Sequence, residues 1–322
     1  MLPSFPRRFG FSTMIDFQRK ILADSVRNRA FEKALRKVIR KGETTVTDIG
    51  SGTGFLSFLA AKLGAKKCYL YEHSGALSLS RKIAHANGIK NCVFVPVHSS
   101  AVENPVRTDI VLSETLGNFA TEEHIIENLE DGKRFLKPGG MLIPGKLEQC
   151  VAPVISDRIM REIDPWNDVG FGLNLSAARE VALHNLYVQT ILPKDLLKGK
   201  DAMQCWDTID FSRSLNSVRR GKVTWTFSRG ATVYGFAAWW NAKLVPGVAL
   251  STSPRAQPTH WEQIFLPLLV PLAVRKDDVL RLRITSDSRW SIGLRVQWEA
   301  LLLRSGKVSQ RIAMDMRKGD LS

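Results

Sequence analysis

The stretch Val46 to Phe55, VTDIGSGTGF, constrains this chain more than any other. A short β-branched run ends in Asp48, and glycines follow at Gly50, Gly52 and Gly54. Apolar residues then recur at helical spacing through Phe55, Leu56, Leu59 and Leu63. The pattern predicts a strand, a tight turn and a helix. Glycines there permit positive φ and let the backbone approach a ligand with no Cβ in the way. A nucleotide-like ligand is therefore expected over the turn. A dinucleotide site would offer G-x-G-x-x-G and a helix N-terminus to a pyrophosphate, but here the glycines are evenly spaced.

The next predicted strand, Lys67 to Tyr71, ends in Glu72, 24 residues after Asp48. A carboxylate at that tip is placed to accept both hydroxyls of a ribose. Alone, such a turn also closes hairpins or covers phosphates; with Glu72 it resembles the first motif of class I S-adenosylmethionine methyltransferases. In that family the turn faces an uncharged ribose and an amino-acid tail.

Strand and helix keep alternating as far as Pro144: a helix over Leu77 to Asn87, strands over Asn91 to Val97 and Asp109 to Leu112, and a turn into a strand over Leu136 to Pro144. Short alternation of this kind predicts a mostly parallel sheet with helices on both faces, and ligands at the carboxyl ends of its strands. Beyond Pro144, β-type runs take over: Val223 to Phe227, Val233 to Trp240, Ile264 to Leu269, Val279 to Ile284 and Leu294 to Leu303. They predict a second, mostly antiparallel domain with a helical insertion near Asp164 to His184. Ahead of both, Asp16 to Lys41 reads as one continuous helix with Phe17, Ile21, Leu22 and Val26 in a core. Asp24 and Arg27, one turn apart, read there as a solvated ion pair.

A chain of 322 residues holds one large or two ordinary domains. No uninterrupted apolar run reaches the roughly 18 residues that span a membrane, and the N-terminus lacks the pattern of a secretory signal. A cytoplasmic protein is expected. Cys68, Cys92, Cys150 and Cys205 are far apart and have no metal-ligand spacing. They read as buried small apolar residues, and no metal is expected. The formal charge of +15 is dispersed along the chain. Such a field attracts nucleic acid or acidic partners and disfavours cationic ones.

The predicted fourth strand runs into Ser113-Glu114, and Glu123 follows nine positions later, across Gly117 and Asn118. The chain can fold back there and aim both carboxylates into one pocket. A sulfonium methyl donor is cationic, and so is a guanidinium, whose pKa exceeds about 12. At an effective dielectric of ~20 each close carboxylate returns roughly 4 kcal/mol of attraction before desolvation. Forked hydrogen bonds would also fix one terminal nitrogen in line with the methyl group. The plainer reading is that Glu122 and Glu123 open a helix.

Ser-Glu at 113–114, the glutamate nine residues on, L-K-P-G-G-M-L-I-P at 136–144, S-T-S-P at 251–254 and T-H-W at 259–261 together resemble the protein arginine methyltransferase family, as does L-A-D-S-V-R at 22–27. The resemblance covers most of the chain. It implies an α/β Rossmann-like methyltransferase domain followed by a mostly antiparallel β-barrel-like domain with a helical dimerisation arm. Residues 1–41 would cover the cofactor, 42–144 would bind S-adenosylmethionine, and 145–322 would form the substrate domain, with the arm at about 164–186. Glu114 and Glu123 match the double-E loop that grips the substrate. His260 matches the histidine of the T-H-W loop, which pairs with an aspartate, here Asp24. Arg27 would hold the cofactor carboxylate and Glu72 its ribose, over Asp48 and the glycines at 50, 52 and 54. Gln18 stands where the family often has a cofactor-contacting histidine, and Ala101 stands where it has a glutamate near the adenine. The resemblance implies methyl transfer from S-adenosylmethionine to a guanidinium nitrogen of arginine, in a protein or peptide or free; because Arg- and Gly-rich tails are cationic and a +15 enzyme repels them at long range, charge favours free arginine, another small guanidine, or an arginine in an acidic setting.

There are departures. The family's Tyr-Phe-x-x-Tyr motif has no tyrosine at Arg8 to Ser12, and S-E-T-L-G replaces S-E-W-M-G, so Thr115 and Leu116 change the pocket wall. Two other readings stay open: a small-molecule N-methyltransferase of a biosynthetic pathway, and a nucleic-acid-binding protein with a vestigial cofactor site. Nucleic acid is not the favoured partner, because no RNA-binding module is recognisable.

Overall fold

The computed structural model describes residues 14–199 and 201–321. The missing tyrosine motif at 8–12 lies outside the described residues. Two helices lead, α1 (Met14–Ala23) and α2 (Ser25–Val38). An alternating unit follows: β1 (Thr45–Ile49), α3 (Phe55–Lys62), β2 (Lys67–Tyr71), α4 (Ala76–Ala86), β3 (Cys92–Val95), β4 (Thr108–Ser113), α5 (Ile125–Gly132) and β5 (Leu136–Ile143). The rest is mainly strand: β6 (Lys146–Val154), α6 (Arg158–Ile163), α7 (Ser176–Leu183), β7 (Tyr187–Gln189), β8 (Gln204–Asp210), β9 (Val218–Thr226), β10 (Ala231–Val245), β11 (Val248–Ser251), β12 (Gln263–Val274), β13 (Val279–Asp287), β14 (Arg295–Arg304) and β15 (Lys307–Asp315).

The first sheet has the order β3-β2-β1-β4-β5, and its pairings are parallel. Chain order reverses direction across β1, so the ends of β1, β2 and β4 open on one crevice, where ligands of such sheets bind. The second sheet, β7-β12-β10-β6-β8 with β11 on β10, is antiparallel, as is the third, β15-β14-β13-β9. Both contribute to one core that includes Trp225, Phe236, Phe265 and Trp298. Alternating burial along β13, with Leu280, Leu282 and Ile284 inward, is what packs a sheet on one face.

The leading helix is not continuous. It breaks at Asp24, whose backbone is extended (φ −73°, ψ 93°) and whose Oδ1 accepts from Arg27 N at 2.9 Å. Asp24 caps α2 because a short carboxylate satisfies an amide that a continuous helix would leave to a backbone carbonyl. The solvated ion pair expected between Asp24 and Arg27 is thus replaced by a buried cap. Phe17 is exposed rather than core, whereas Ile21 and Leu22 line a cleft. The cysteines are also not uniformly buried. Cys205 is exposed because β8 is an edge strand, and it stands in register with Cys150; Cys92, half-buried, stands in register with buried Cys68. Among the described residues no group of three or more His, Cys, Asp or Glu is placed to hold a metal ion. No helix among them is long and apolar enough to cross a membrane.

Candidate functional site

The glycine turn adopts left-handed backbone at all three expected positions, with φ of 71° at Gly50, 54° at Gly52 and 83° at Gly54. Space is as demanding as φ. A Cβ on Gly54 would lie 2.4 Å from Ser80 Oγ, and one on Gly50 would lie 2.9 Å from Thr115 Cγ2. The side chain of Gln18 arches over Gly52 from α1 and takes a weak bond from Thr53 Oγ1 at 3.4 Å. Below the turn, Asp48 is fully buried and accepts from Ser57 Oγ at 2.7 Å. Burial pushes its carboxyl up to about 7, against the pull of Ser57 and Arg27, while the charges of Glu114 and Glu72 add to the rise.

At the tip of β2, buried Glu72 is oriented by two backbone amides: Gly52 N donates to Oε2 at 2.9 Å and Ser74 N to Oε1 at 2.7 Å. A small cleft of about 50 Å³ lies between α1 and the turn, with Arg27 and Glu114 among its walls. Arg27 Nε and Nη2 both donate to Glu114 Oε2, the former at 2.7 Å, and Nη1 donates to Asn28 Oδ1. This ion pair is buried on both sides. It leaves Glu114 Oε1 without a hydrogen bond among the described residues.

Glu122 and Glu123 do not open the helix; both precede α5, which starts after His124. Water reaches Glu123, yet protein crowds it on the remaining sides, as on the wall of an open bowl. That crowding, and then the charges of Glu114 and Glu122, push its carboxyl up to about 8. Crowding likewise raises Glu122, against the amides of Phe119 and Asn118. The charge of Glu114, on the wall of the cleft, is therefore felt at Glu123.

His260 comes from the second sheet's side and meets Asp24 twice, its backbone N donating to Oδ2 at 2.8 Å and its ring Nδ1 lying 2.8 Å from the same atom. Burial raises the Asp24 carboxyl, but the bonds from His260 and Arg27 outweigh it and the net shift is downward. Several residues of this site escaped the sequence reading. Trp261 Nε1 donates to Leu116 O at 2.6 Å and Trp240 Nε1 to Gly117 O at 2.9 Å, so two indoles of the antiparallel half hold the backbone of the acidic loop. Asn128 bridges the loop's ends, donating to Thr115 Oγ1 at 2.9 Å and Glu123 O at 3.3 Å. T-H-W hinted at Trp261; nothing local marked Trp240 or Asn128. Ala101 ends a short turn after β3 and is exposed.

Residues 148–298 match the family model of the arginine methyltransferase oligomerization subdomain, and residues 32–156 match that of ribosomal protein L11 methyltransferase. Protein arginine N-methyltransferase 6 of Xenopus laevis is 30% identical over 280 residues, which is 82% of this chain and 81% of the relative. The chain belongs to the protein arginine N-methyltransferase family. Enzymes of this family use S-adenosylmethionine. The histone-arginine methyltransferase CARMER of Anopheles gambiae is 25% identical over 96% of this chain, which spans only 52% of that relative's length. The fold is shared with the PRMT1 enzyme–prozyme heterotetramer of Trypanosoma brucei, solved with AdoHcy (TM-score 0.81, 20% identity, 92% of this chain and 98% of that one). It is also shared with protein arginine methyltransferase 10 of Arabidopsis thaliana (TM-score 0.76, 19% identity, 93% and 97%).

Proposed function

We propose that this family member transfers a methyl group from S-adenosylmethionine to a terminal guanidinium nitrogen of arginine in a protein segment. The observation that carries the reading is the pair Glu114 and Glu123: Glu114 lines the cleft beside the glycine turn, and its charge raises the Glu123 carboxyl. The residues present fit the cofactor: three glycines put no side chain of their own over the turn, Glu72 offers a pre-oriented carboxylate, and buried Ser51 Oγ has no hydrogen-bond partner among the described residues. Gln18, Arg27, Asp48, Gly50, Gly52, Gly54, Glu72 and Ala101 would hold it, with Arg27 on the amino-acid tail. When bound, it supplies an electrophilic methyl group on a sulfonium. The chain's own task is to bind, orient and neutralise. Glu114 Oε1 and the Glu123 carboxylate would grip the guanidinium in a fork, and Glu123, with its raised carboxyl, would accept the proton released. His260, held twice by Asp24, has a positional role that ties the two halves together.

Of the described residues, 14–41 would then serve as cover, 42–144 as the cofactor-binding unit and 145–321 as the substrate unit, while 1–13 of the expected cover lie outside the described residues. The arm at about 164–186 would dock on a second copy head to tail. Its tip exposes Val169, Phe171 and Leu173, Phe171 at 92%, and Arg179 braces its base through Asp164 at 2.7 Å. Incubation with labelled S-adenosylmethionine against an arginine peptide, free arginine and cell extract, followed by mass spectrometry of the modified atom, tests the reaction. Label on a peptide guanidine nitrogen is expected; label on another small-molecule nitrogen, or none, overturns it. Phe171→Asp is expected to yield monomers in light scattering.

A further inference from the structure

A groove of about 710 Å³ follows the seam between the two halves and shares no wall residue with the cofactor cleft. It is lined by β5, by the turn after β8 and by the β10–β11 hairpin. β5 and β8 each stand at the end of their sheet, and an edge strand has backbone donors and acceptors with no neighbouring strand. The floor is apolar. Leu142, Phe211, Val245 and Val248 are buried along it, while Met141 keeps 38% of its surface exposed.

The charged groups of the groove are mainly basic. Lys133, Lys146 and Lys243 line it, Lys37 donates to Pro246 O at its end at 2.6 Å, and Arg213 follows Ser212 in the turn, 82% exposed. Three carboxylates answer these five cations. Glu130 pairs with Lys133, Asp210 lies 3.1 Å from Lys146 and 3.8 Å from Arg213, and Glu148 lies 3.2 Å from Lys243. Ion pairs as exposed as these hold little free energy, so a visiting carboxylate exchanges for them readily, and the basic body draws it in. A ligand suited to this groove carries apolar side chains at intervals with carboxylates between them. Nucleic acid does not match, because its phosphates form an unbroken row that the three carboxylates would repel.

We propose that the groove docks an extended acidic segment of a partner protein. Its apolar side chains lie on the floor between Met141 and Val248, its carboxylates meet Lys146 and Lys243, and its backbone adds along the edge of β5, a recurring mode of peptide recognition. Charge complementarity and the edge strand favour this occupant over a small molecule, which needs neither.

Fluorescence anisotropy of a fluorescein-labelled peptide of alternating acidic and apolar residues tests the proposal on the full chain. The peptide is expected to bind, and more weakly as salt is added, whereas the same sequence with lysine at each acidic position does not bind. Met141→Asp should weaken binding by about tenfold, the scale of one apolar contact on the floor. Lys243→Glu should weaken it by about threefold; the Lys243 side chain is 60% exposed, so this variant folds whatever becomes of Met141→Asp. No wild-type binding at about 1 mM peptide, or undiminished binding by the folded variants, overturns the proposal. Anilinonaphthalene sulfonate bound in place of the peptide and lost in Met141→Asp would give the groove to a small amphipathic anion. Self-association lost in that variant, with no peptide bound by the wild type, would give it to a second copy of the chain. Either result also overturns the proposal. Methyl transfer does not enter the measurement, so its failure leaves the proposed reaction standing.

Discussion

The cleft above the parallel sheet and the outer face of the β15-β14-β13-β9 sheet carry opposite charge. The cleft is walled by Asp48 and Glu114 beside one buried arginine, Arg27; buried Asp24 and Glu72 stand next to it, and the charge of Glu114 reaches Glu123. The outer face carries Arg220, Lys222, Arg281, Arg283 and Arg311. There Arg283 stands opposite Lys222 on one neighbour strand and Glu299 on the other. Like charges directly opposite are unfavourable, and Glu299 relieves them by accepting from Arg283 at 3.1 Å and Arg311 at 2.5 Å. The basic charges are solvated and individually worth little; the acidic ones are crowded and act at contact. Net charge therefore describes how a partner approaches, and the cleft decides what is bound.

The largest effect that would break this contrast is expected at Glu114. Glu114→Gln should lower kcat/KM for the acceptor by about 10²–10³ and destabilise the fold by about 3–5 kcal/mol, because it leaves the Arg27 guanidinium buried without its partner. Steady-state kinetics and urea unfolding measure both, and retained turnover would show that the cleft charge is not what binds. Next comes Glu123. With its carboxyl raised to about 8, kcat/KM should climb as pH rises toward that value, and Glu123→Gln should lie lower and lose the climb.

A smaller effect belongs to Asp24. Its folded pKa is depressed, so its contribution is present above its unfolded value near 4 and is lost as pH falls through the folded value. Acid unfolding of Asp24→Asn should therefore begin from a stability lower by about 1–2 kcal/mol and fall less steeply below pH ~4. Salt sharpens the comparison further. Added salt should slow methylation of a peptide with one arginine and neutral flanks, as attraction to the cleft is screened. It should speed methylation of a polycationic peptide, as repulsion by the whole body is screened over roughly 8 Å; the same sign for both would dissolve the contrast. Smallest of all, Lys222→Glu should change stability by no more than about 0.5 kcal/mol and reduce only the salt response of the polycationic peptide.

Much of the site was legible because its signals are local. A glycine turn, a carboxylate at a strand tip and two glutamates nine positions apart depend on spacing along one segment. The break at Asp24 was not legible, since helical periodicity runs through it and only the cap bond interrupts it. The ion pair of Arg27 with Glu114 was missed for another reason: its partners are 87 positions apart, so nothing near Arg27 distinguishes it from a solvated surface arginine. The indole bonds of Trp240 and Trp261 to the acidic loop span 123 and 145 positions. Cysteines that seemed unrelated stand opposite one another, because strand register is decided by whole-sheet pairing.

By itself the sequence determined the five strands of the parallel sheet, the turn over which a nucleoside fits and the residue types that can neutralise a cation, because these follow from backbone freedom and short periodicities; β6, β8, β11 and β15 of the antiparallel half carried no run that the sequence reading marked. Only the tertiary structure decided which charges are buried, which oxygen of Glu114 Arg27 engages and which indoles hold the acidic loop. Desolvation and hydrogen-bond geometry depend on atoms that remote segments bring together, and no local pattern encodes them.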